Sequence, residues 1–251
     1  MFRKKNKIPF IAKFKFDSQF KYLAKGANAC TSISFSMCSR LLRMNRNEFF
    51  NLFPPANSHD PEICKKARLI LNSCLQAGID LNKAVSVSAV DVISKKNTDQ
   101  VATGITNLEN NFGGLQDVVL LKSNTIRVCP EHEHLQTLQT FHTALLSEFE
   151  TELNENEIAF AAVSGGHTIS FFSRTNHEGE RYYYLIDSAV GGILNSIGCM
   201  EVFNSFDLLA KRLLQKWQGN DYAEVQAFTI SDRVRLADKI DTNSPPSPRN
   251  N

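Results

Sequence analysis

Residues 164–188, SGGHTISFFSRTNHEGERYYYLIDS, contain two apolar segments separated by a charged turn. The first segment, 168–172, follows two glycines and His167, and the second, 182–186, ends at Asp187. Aromatic and β-branched runs joined by a short polar loop predict an antiparallel hairpin, here with a loop of about seven to ten residues. In a hairpin, the start of one strand lies beside the end of the next. We therefore expect His167 and Asp187 to lie side by side.

A carboxylate beside a histidine has a chemical use. It fixes the imidazole tautomer and stabilises the imidazolium, while the other ring nitrogen can face a thiol. Taken singly, His167 could be an ordinary histidine at a sheet edge, and Asp187 could start a turn before Gly191 and Gly192. Their joint position at a strand start and a strand end favours a catalytic pair.

A candidate nucleophile lies in residues 26–34, GANACTSIS, where Cys30 stands at the start of a predicted helix, 28–44. The unpaired N–H groups and the dipole of a helix N-terminus stabilise a thiolate and lower the pKa of a cysteine. The same N–H groups can donate to the oxyanion that forms when a thiolate attacks a carbonyl. The alternative is a small buried cysteine that packs beside Ile33.

The rest of the chain predicts helices first and then a largely antiparallel sheet, which is an α+β arrangement. Pro61 is suited to the first turn of the second helix, and Gly78 to its end. A break at 53–58 precedes that helix, 105–114 is loop-like, and 85–93 is ambiguous but favours helix. The further predicted helices are 61–78, 135–153 and 206–217, and the further predicted strands are 8–16, 118–121, 125–128, 158–163 and 225–230.

Composition excludes several classes of function. A net charge of +2 across 251 residues gives no overall case for nucleic acid, and no apolar stretch is long enough to span a membrane. Basic residues crowd the first twenty-five positions, a pattern typical of a solvated terminus, with an acidic-partner or membrane-surface patch as the alternative. The chain has no glycine-rich phosphate-binding motif, so we expect no nucleotide cofactor.

The six cysteines lie far apart without a CxxC pair, which favours a soluble protein of a reducing compartment over a disulfide framework. That compartment is the cytoplasm, or the cytoplasm of a host cell if the protein is a delivered microbial effector or a viral protein. Cys129, His132 and His134, with His142 beyond, fit no structural zinc spacing. We therefore predict no metal site.

Three boxes of this sequence resemble papain-like cysteine peptidases, most closely the ubiquitin-specific and herpesvirus tegument-type deubiquitinating proteases. The boxes are Ala27-Asn28-Ala29-Cys30, Gly166-His167-Thr168 and Tyr184-Leu185-Ile186-Asp187-Ser188, in the family's order. The resemblance covers about forty residues. It implies Cys30 as nucleophile, His167 as general base and then acid, and Asp187 as the residue that orients the histidine.

The resemblance also implies an oxyanion donor upstream of the nucleophile. The ubiquitin-specific enzymes carry Asn or Gln five or six residues before the cysteine, where this chain has Lys25 and Ala24. The candidates here are Gln19 and Asn28. Gln19 is favoured, because a more distant upstream glutamine is similar to the herpesvirus tegument proteases.

The resulting hypothesis is a single papain-like domain over residues 1–240, with a helical part at about 28–153, a sheet part at about 158–230 and a disordered tail at 241–251. It would be a cysteine protease or isopeptidase that acts on a protein substrate, ubiquitin or a ubiquitin-like modifier. The alternatives are a papain-like deamidase, transglutaminase or acyltransferase, since all form the same thioester, or a catalytically inactive binding module.

Overall fold

The computed structural model describes residues 9–23, 29–56, 60–89, 118–128, 134–153, 158–190, 197–217, 220 and 222–230. Its helices and strands are numbered in chain order. The helices are α1 Cys30–Arg43, α2 Arg46–Leu52, α3 Pro61–Ala89, α4 His134–Leu153 and α5 Phe206–Lys216, with a short 3-10 turn at Gln19–Lys21. The strands are β1 Ala12–Phe16, β2 Val118–Arg127, β3 Ile158–Ser164, β4 His167–Thr175, β5 Arg181–Val190, β6 Ile197–Phe203 and β7 Tyr222–Ile230.

The strands form one seven-stranded sheet in the order β1-β6-β5-β4-β3-β7-β2, and every pairing in it is antiparallel. Alternate strand residues belong to two separate cores, as the two-residue period of a strand requires. One core packs the sheet against α1, α2 and α3, and the other packs it against α4 and α5. The predicted α+β class with a mainly antiparallel sheet is therefore confirmed.

Phenylalanine fills both cores. On the side of α1–α3, Phe49 of α2 contacts Phe53, Phe172 and Tyr184 with ring centroids 4.9–5.9 Å apart. Such edge and tilted contacts add to the free energy gained from burying the rings. All four of these rings are fully buried.

The predicted helix end at Gly78 is wrong, because α3 continues through it to Ala89. A Cβ atom at Gly78 would lie 2.5 Å from the Cα atom of Ile33 in α1. The glycine therefore permits two helix backbones to approach closely and does not act as a helix C-cap. The helical preference of 85–93 is correct up to Ala89, and the remaining residues of that segment lie outside the described ones.

The sheet also differs from the sequence-based prediction at three places. The segments 118–121 and 125–128 are one strand, β2, with a register shift between Leu120 and Lys122. β6 was not predicted, because its sequence IGCMEVF contains a glycine and a buried acid, and Gly198 lies directly under the ring of Phe16. The hairpin loop is 176–180, shorter than predicted, because Thr175 already pairs with Arg181.

The described helices include none that is long and apolar enough to cross a membrane. None of the five described cysteines, Cys30, Cys38, Cys64, Cys74 and Cys199, is in a disulfide. The predicted loop at 105–114 and the predicted tail at 241–251 lie outside the described residues.

Candidate active site

The hairpin of β4 and β5 brings His167 and Asp187 together, as the sequence predicted. The Nε2 atom of His167 lies 2.9 Å from Oδ1 of Asp187. Phe171 pairs with Leu185 and both belong to the core under α4 and α5, so the two-residue period places His167 and Asp187 on that same face. They are diagonal neighbours across the hairpin, a separation that a histidine side chain can span.

Cys30 reaches this pair from the opposite layer. It is the first residue of α1, and its Sγ atom accepts a hydrogen bond of 3.2 Å from the backbone N–H of Thr168. The thiol also hydrogen-bonds with the His167 imidazole. Since Nε2 is engaged by Asp187, the ring nitrogen that faces the thiol is Nδ1. The three residues meet where β4 begins, and the two helical layers both border this point.

Residues of strand β4 make hydrogen bonds with both ends of helix α1. Near the N-terminus of the helix, Oγ1 of Thr31 lies 2.7 Å from Oγ1 of Thr168. At the C-terminus, the buried guanidinium of Arg174 donates to the carbonyl oxygens of Met44 and Leu41, at 2.8 and 2.9 Å, and satisfies groups that the helix leaves unpaired. The strand that carries the histidine thus fixes the position of the helix that carries the thiol.

Hydrogen bonds and burial shift the pKa values of the Cys30 thiol and the His167 imidazole in opposite directions. Burial alone would raise the pKa of the Cys30 thiol, but hydrogen bonds from His167 and Thr168 outweigh it and lower that pKa to about 7. Burial would likewise lower the pKa of His167, but its hydrogen bonds with Asp187 and Cys30 raise it to about 9. Between these two values a thiolate and an imidazolium coexist.

Asp187 stays ionised despite its burial. Burial would raise the pKa of its carboxyl group, yet the hydrogen bond from His167 and the charge of Lys216 hold that pKa well below its usual range. Its Oδ1 atom also accepts a 3.0 Å hydrogen bond from the backbone N–H of Ala189. The Nζ atom of Lys216, at the end of α5, donates to Oδ2.

Gln19, the favoured oxyanion candidate, lies against the start of α1. Its side chain is buried, and its Oε1 atom accepts a 3.1 Å hydrogen bond from the backbone N–H of Ala29. This contact holds the planar amide of Gln19, which also carries the Nε2 donor, against the residue that precedes Cys30. Ala29 is the N-cap of α1 and makes no side-chain capping bond, so no side chain covers the helix N-terminus from that position. The second candidate, Asn28, lies outside the described residues.

The turn that carries Gln19 is anchored through Asp17. This carboxylate accepts hydrogen bonds from Lys21, Tyr22 and Arg68 of α3, at 2.7, 2.6 and 2.9 Å. The backbone N–H of Asp17 donates to Oδ1 of Asn72, also on α3, at 2.8 Å. The hydrogen bonds from Lys21 and Tyr22 hold the pKa of Asp17 well below its usual range.

Other candidate groups are not drawn into the site. His177 lies at the far end of the hairpin, in a shallow groove with Asn47 of α2. His142 packs its ring 4.9 Å from that of Phe206. Cys129 and His132 lie outside the described residues, and the described residues contain no cluster of three or more metal-ligating side chains. None of these groups touches Cys30, His167 or Asp187 within the part of the chain that the structure describes.

Three residues that contact the site were not predicted from the sequence. Thr31 and Thr168 each follow a predicted site residue directly, a position that could have indicated them. Lys216 left no such signal, because it comes from a separate helix 29 residues beyond Asp187. Only the packing of α5 on the sheet brings it to the carboxylate.

Comparison with known proteins gives a structural match. No family model matches the chain, and no curated protein sequence matches it. Among solved structures, the chain is similar to the ubiquitin-specific protease encoded by murine cytomegalovirus tegument protein M48, whose crystal structure holds a ubiquitin-based suicide substrate. The TM-score is 0.55 at 12% sequence identity, and the match covers 93% of this chain and 96% of that one. The predicted papain-like fold, and its likeness to the tegument-type proteases, are thereby confirmed at the level of the fold.

Proposed function

We propose that this protein is a cysteine isopeptidase that cleaves ubiquitin or ubiquitin-like conjugates, with Cys30, His167 and Asp187 as its triad. One observation carries the proposal. A thiol at a helix N-terminus contacts an imidazole whose other nitrogen lies 2.9 Å from a buried carboxylate. A histidine that serves as a satisfied structural residue needs neither a thiol partner nor a pKa near 9.

The chemistry follows from these positions. The Cys30 thiolate attacks the carbonyl carbon of the scissile bond, and the His167 imidazolium gives its proton to the departing amine. This step leaves a thioester on Cys30 and a neutral imidazole. His167 then takes a proton from water as the water oxygen attacks the thioester carbonyl, the C–S bond breaks, and the acid product leaves while the thiolate and the imidazolium are restored. Asp187 keeps the imidazole oriented through both steps.

Gln19 is the proposed oxyanion donor. When the thiolate attacks, the carbonyl oxygen becomes negative, and groups that donate hydrogen bonds to it lower the barrier. The Ala29 contact holds the Gln19 amide, and the Cys30 N–H belongs to the first residue of α1. Gln19 and this N–H together would form the oxyanion hole.

The substrate class rests on the structural neighbour. That protein is a ubiquitin-specific protease in complex with a ubiquitin-based suicide substrate. The match spans 93% of this chain and 96% of that one, so the likeness extends over nearly the whole fold. A soluble protein that acts on ubiquitin conjugates in a reducing cytoplasm also agrees with the absence of disulfides among the described cysteines.

The test is intact-mass analysis after incubation with ubiquitin that carries a C-terminal electrophile. We expect a single covalent adduct on the unmodified protein and none on Cys30→Ala. The matched control is Cys64→Ala, which removes an exposed cysteine and should leave the adduct intact. If no adduct forms but iodoacetamide labels Cys30 rapidly at pH 7, the ubiquitin assignment is wrong and a thiol hydrolase remains. If neither reagent labels Cys30, the enzyme proposal fails.

A further inference from the structure

A lysine bound to the carboxylate of the triad is the feature that the proposed mechanism leaves unused. Lys216 is the last residue of α5, and its Nζ atom donates to Oδ2 of Asp187 while Oδ1 faces His167. Both side chains are largely enclosed, with 12% of the lysine and 6% of the aspartate exposed. An ammonium group so nearly removed from water interacts with its neighbours much more strongly than a surface lysine does.

Lys216 is not needed to balance the other buried acid nearby. Glu201 of β6 receives two hydrogen bonds from Arg212, at 2.7 and 2.8 Å, and one from Lys13 of β1 at 3.1 Å. These two cations already pair with Glu201. The Lys216 ammonium therefore has Asp187 as its bonded partner and acts on the triad.

We propose that Lys216 is a positioning residue of the triad, which fixes the Asp187 carboxylate and tunes the protonation of Cys30 and His167 through its positive charge. This inference rests on the proposed function, because it assigns Lys216 a part in the same site. With one oxygen held by the lysine and the other shared by His167 and Ala189, the carboxylate has a single orientation. His167 is then held with Nδ1, the ring nitrogen that does not face Asp187, toward the thiol.

The positive charge of Lys216 lowers the pKa values of the groups around it. A positive charge disfavours proton binding at every group near it, so its removal must raise the pKa values of those groups. The titratable groups that feel the charge of Lys216 are Asp187 on β5 and Cys199 and Glu201 on β6, and the cations Arg212 of α5 and Lys13 of β1 also act on Glu201. Beyond Asp187 lie His167 and Cys30. From α4, His142 contacts Phe206, which is at the opposite end of α5.

Two readouts separate this role from simple packing. In the variant Lys216→Met, which keeps the length of the side chain but removes the charge, the pH at which Cys30 becomes half-reactive toward iodoacetamide should rise by about 0.5–1 unit. Hydrolysis of a ubiquitin C-terminal fluorogenic amide should show a kcat about tenfold lower with little change in KM. Lys216→Arg, which keeps the charge and the donor, should restore most of both quantities.

The matched control is Lys211→Met on the same helix. Lys211 pairs with Asp207 at 2.7 Å on the surface, so its loss removes one charge and one ion pair without touching the triad. The pH profile of Cys30 alkylation in Lys211→Met should coincide with that of the unmodified protein. Peptide mapping assigns the label to Cys30, and thermal melting shows that each variant is folded.

The outcomes are distinguishable from those of the proposed function. Alkylation needs no substrate, so a shifted profile in Lys216→Met supports the role of Lys216 even if ubiquitin is not cleaved. A profile that coincides with that of the unmodified protein overturns the inference, whatever the hydrolysis assay gives. A lower kcat with an unshifted profile also overturns it, because loss of packing alone would then account for the effect.

Discussion

Two cysteines of helix α1 lie eight residues apart, and the pKa values of their thiols are shifted in opposite directions. Cys30 at its first turn and Cys38 in its middle are both buried. The pKa of the Cys30 thiol is lowered to about 7, whereas burial raises that of Cys38 to about 12. Burial acts in the same direction on both. What separates them is that Cys30, at the start of the helix, hydrogen-bonds with His167 and Thr168, and on this difference rests our proposal that Cys30 is a nucleophile and Cys38 a core side chain.

Removal of the His167 imidazole should have the largest effect on the difference between Cys30 and Cys38. In His167→Ala, burial still raises the pKa of the Cys30 thiol and the largest of the hydrogen-bond contributions that lower it is lost, so the pKa should rise even though the hydrogen bonds from Thr168 remain. Cys30 would then resemble Cys38. Hydrolysis should fall by roughly 10²–10⁴-fold, and iodoacetamide labelling at pH 7 by roughly 10- to 50-fold.

The measurement is the rate of Cys30 alkylation from pH 5 to 10, with His142→Ala as the control. His142 packs on Phe206 and does not touch the thiol, so its loss should leave the midpoint near pH 7. An unchanged midpoint in His167→Ala would show that the imidazole does not activate Cys30.

Gln19 contacts the residue that precedes Cys30, so it belongs to the surroundings of Cys30 and not to those of Cys38. Gln19→Ala removes the proposed oxyanion donor, and the expected loss is about 10²–10³-fold in kcat. The alkylation of Cys30 by iodoacetamide passes through no carbonyl oxyanion, so its rate should change little. Turnover of the fluorogenic amide and alkylation, measured on the same preparation, give the two values.

Gln19→Glu is the useful companion variant. It retains an oxygen for the Ala29 N–H but replaces the amide donor by an acceptor, so kcat should fall at least as far. If Gln19→Ala slows alkylation and turnover equally, the glutamine supports the helix start and is not an oxyanion donor.

The smallest effect is expected at Cys38. Cys38→Ala removes a buried sulfur atom from the core between α1 and α3 and should lower the free energy of unfolding by about 1–2 kcal/mol. Turnover and Cys30 labelling should remain as they were. Chemical denaturation gives the first quantity and the fluorogenic amide the second. A tenfold loss of turnover in Cys38→Ala would mean that the middle of α1 positions the thiol more sensitively than the hydrogen bonds at its ends.

The sequence alone was enough for the parts of the site that are local. Two strands joined by a polar turn require that the start of one lies near the end of the other, and this local rule is sufficient to place His167 beside Asp187. The position of Cys30 at a helix start followed from the residues around it. The α+β class followed from the order of helices and strands.

The tertiary structure decided whatever depends on residues far apart in the chain. Gly78 looked like a helix end, because a glycine that ends a helix and one that admits a neighbouring backbone have the same local sequence; only the packing of α3 against Ile33 distinguishes them. Strand β6 could not be predicted from its sequence, because a buried glutamate such as Glu201 is costly in a strand. In the folded protein, Arg212 and Lys13 neutralise its charge. Lys216 comes from helix α5 and Asp187 from the sheet, and no local sequence pattern indicates that the two side chains meet. Local sequence patterns were therefore sufficient for the hairpin and for the cysteine at the helix start, because both depend on neighbouring residues, while tertiary packing determined which charges surround them.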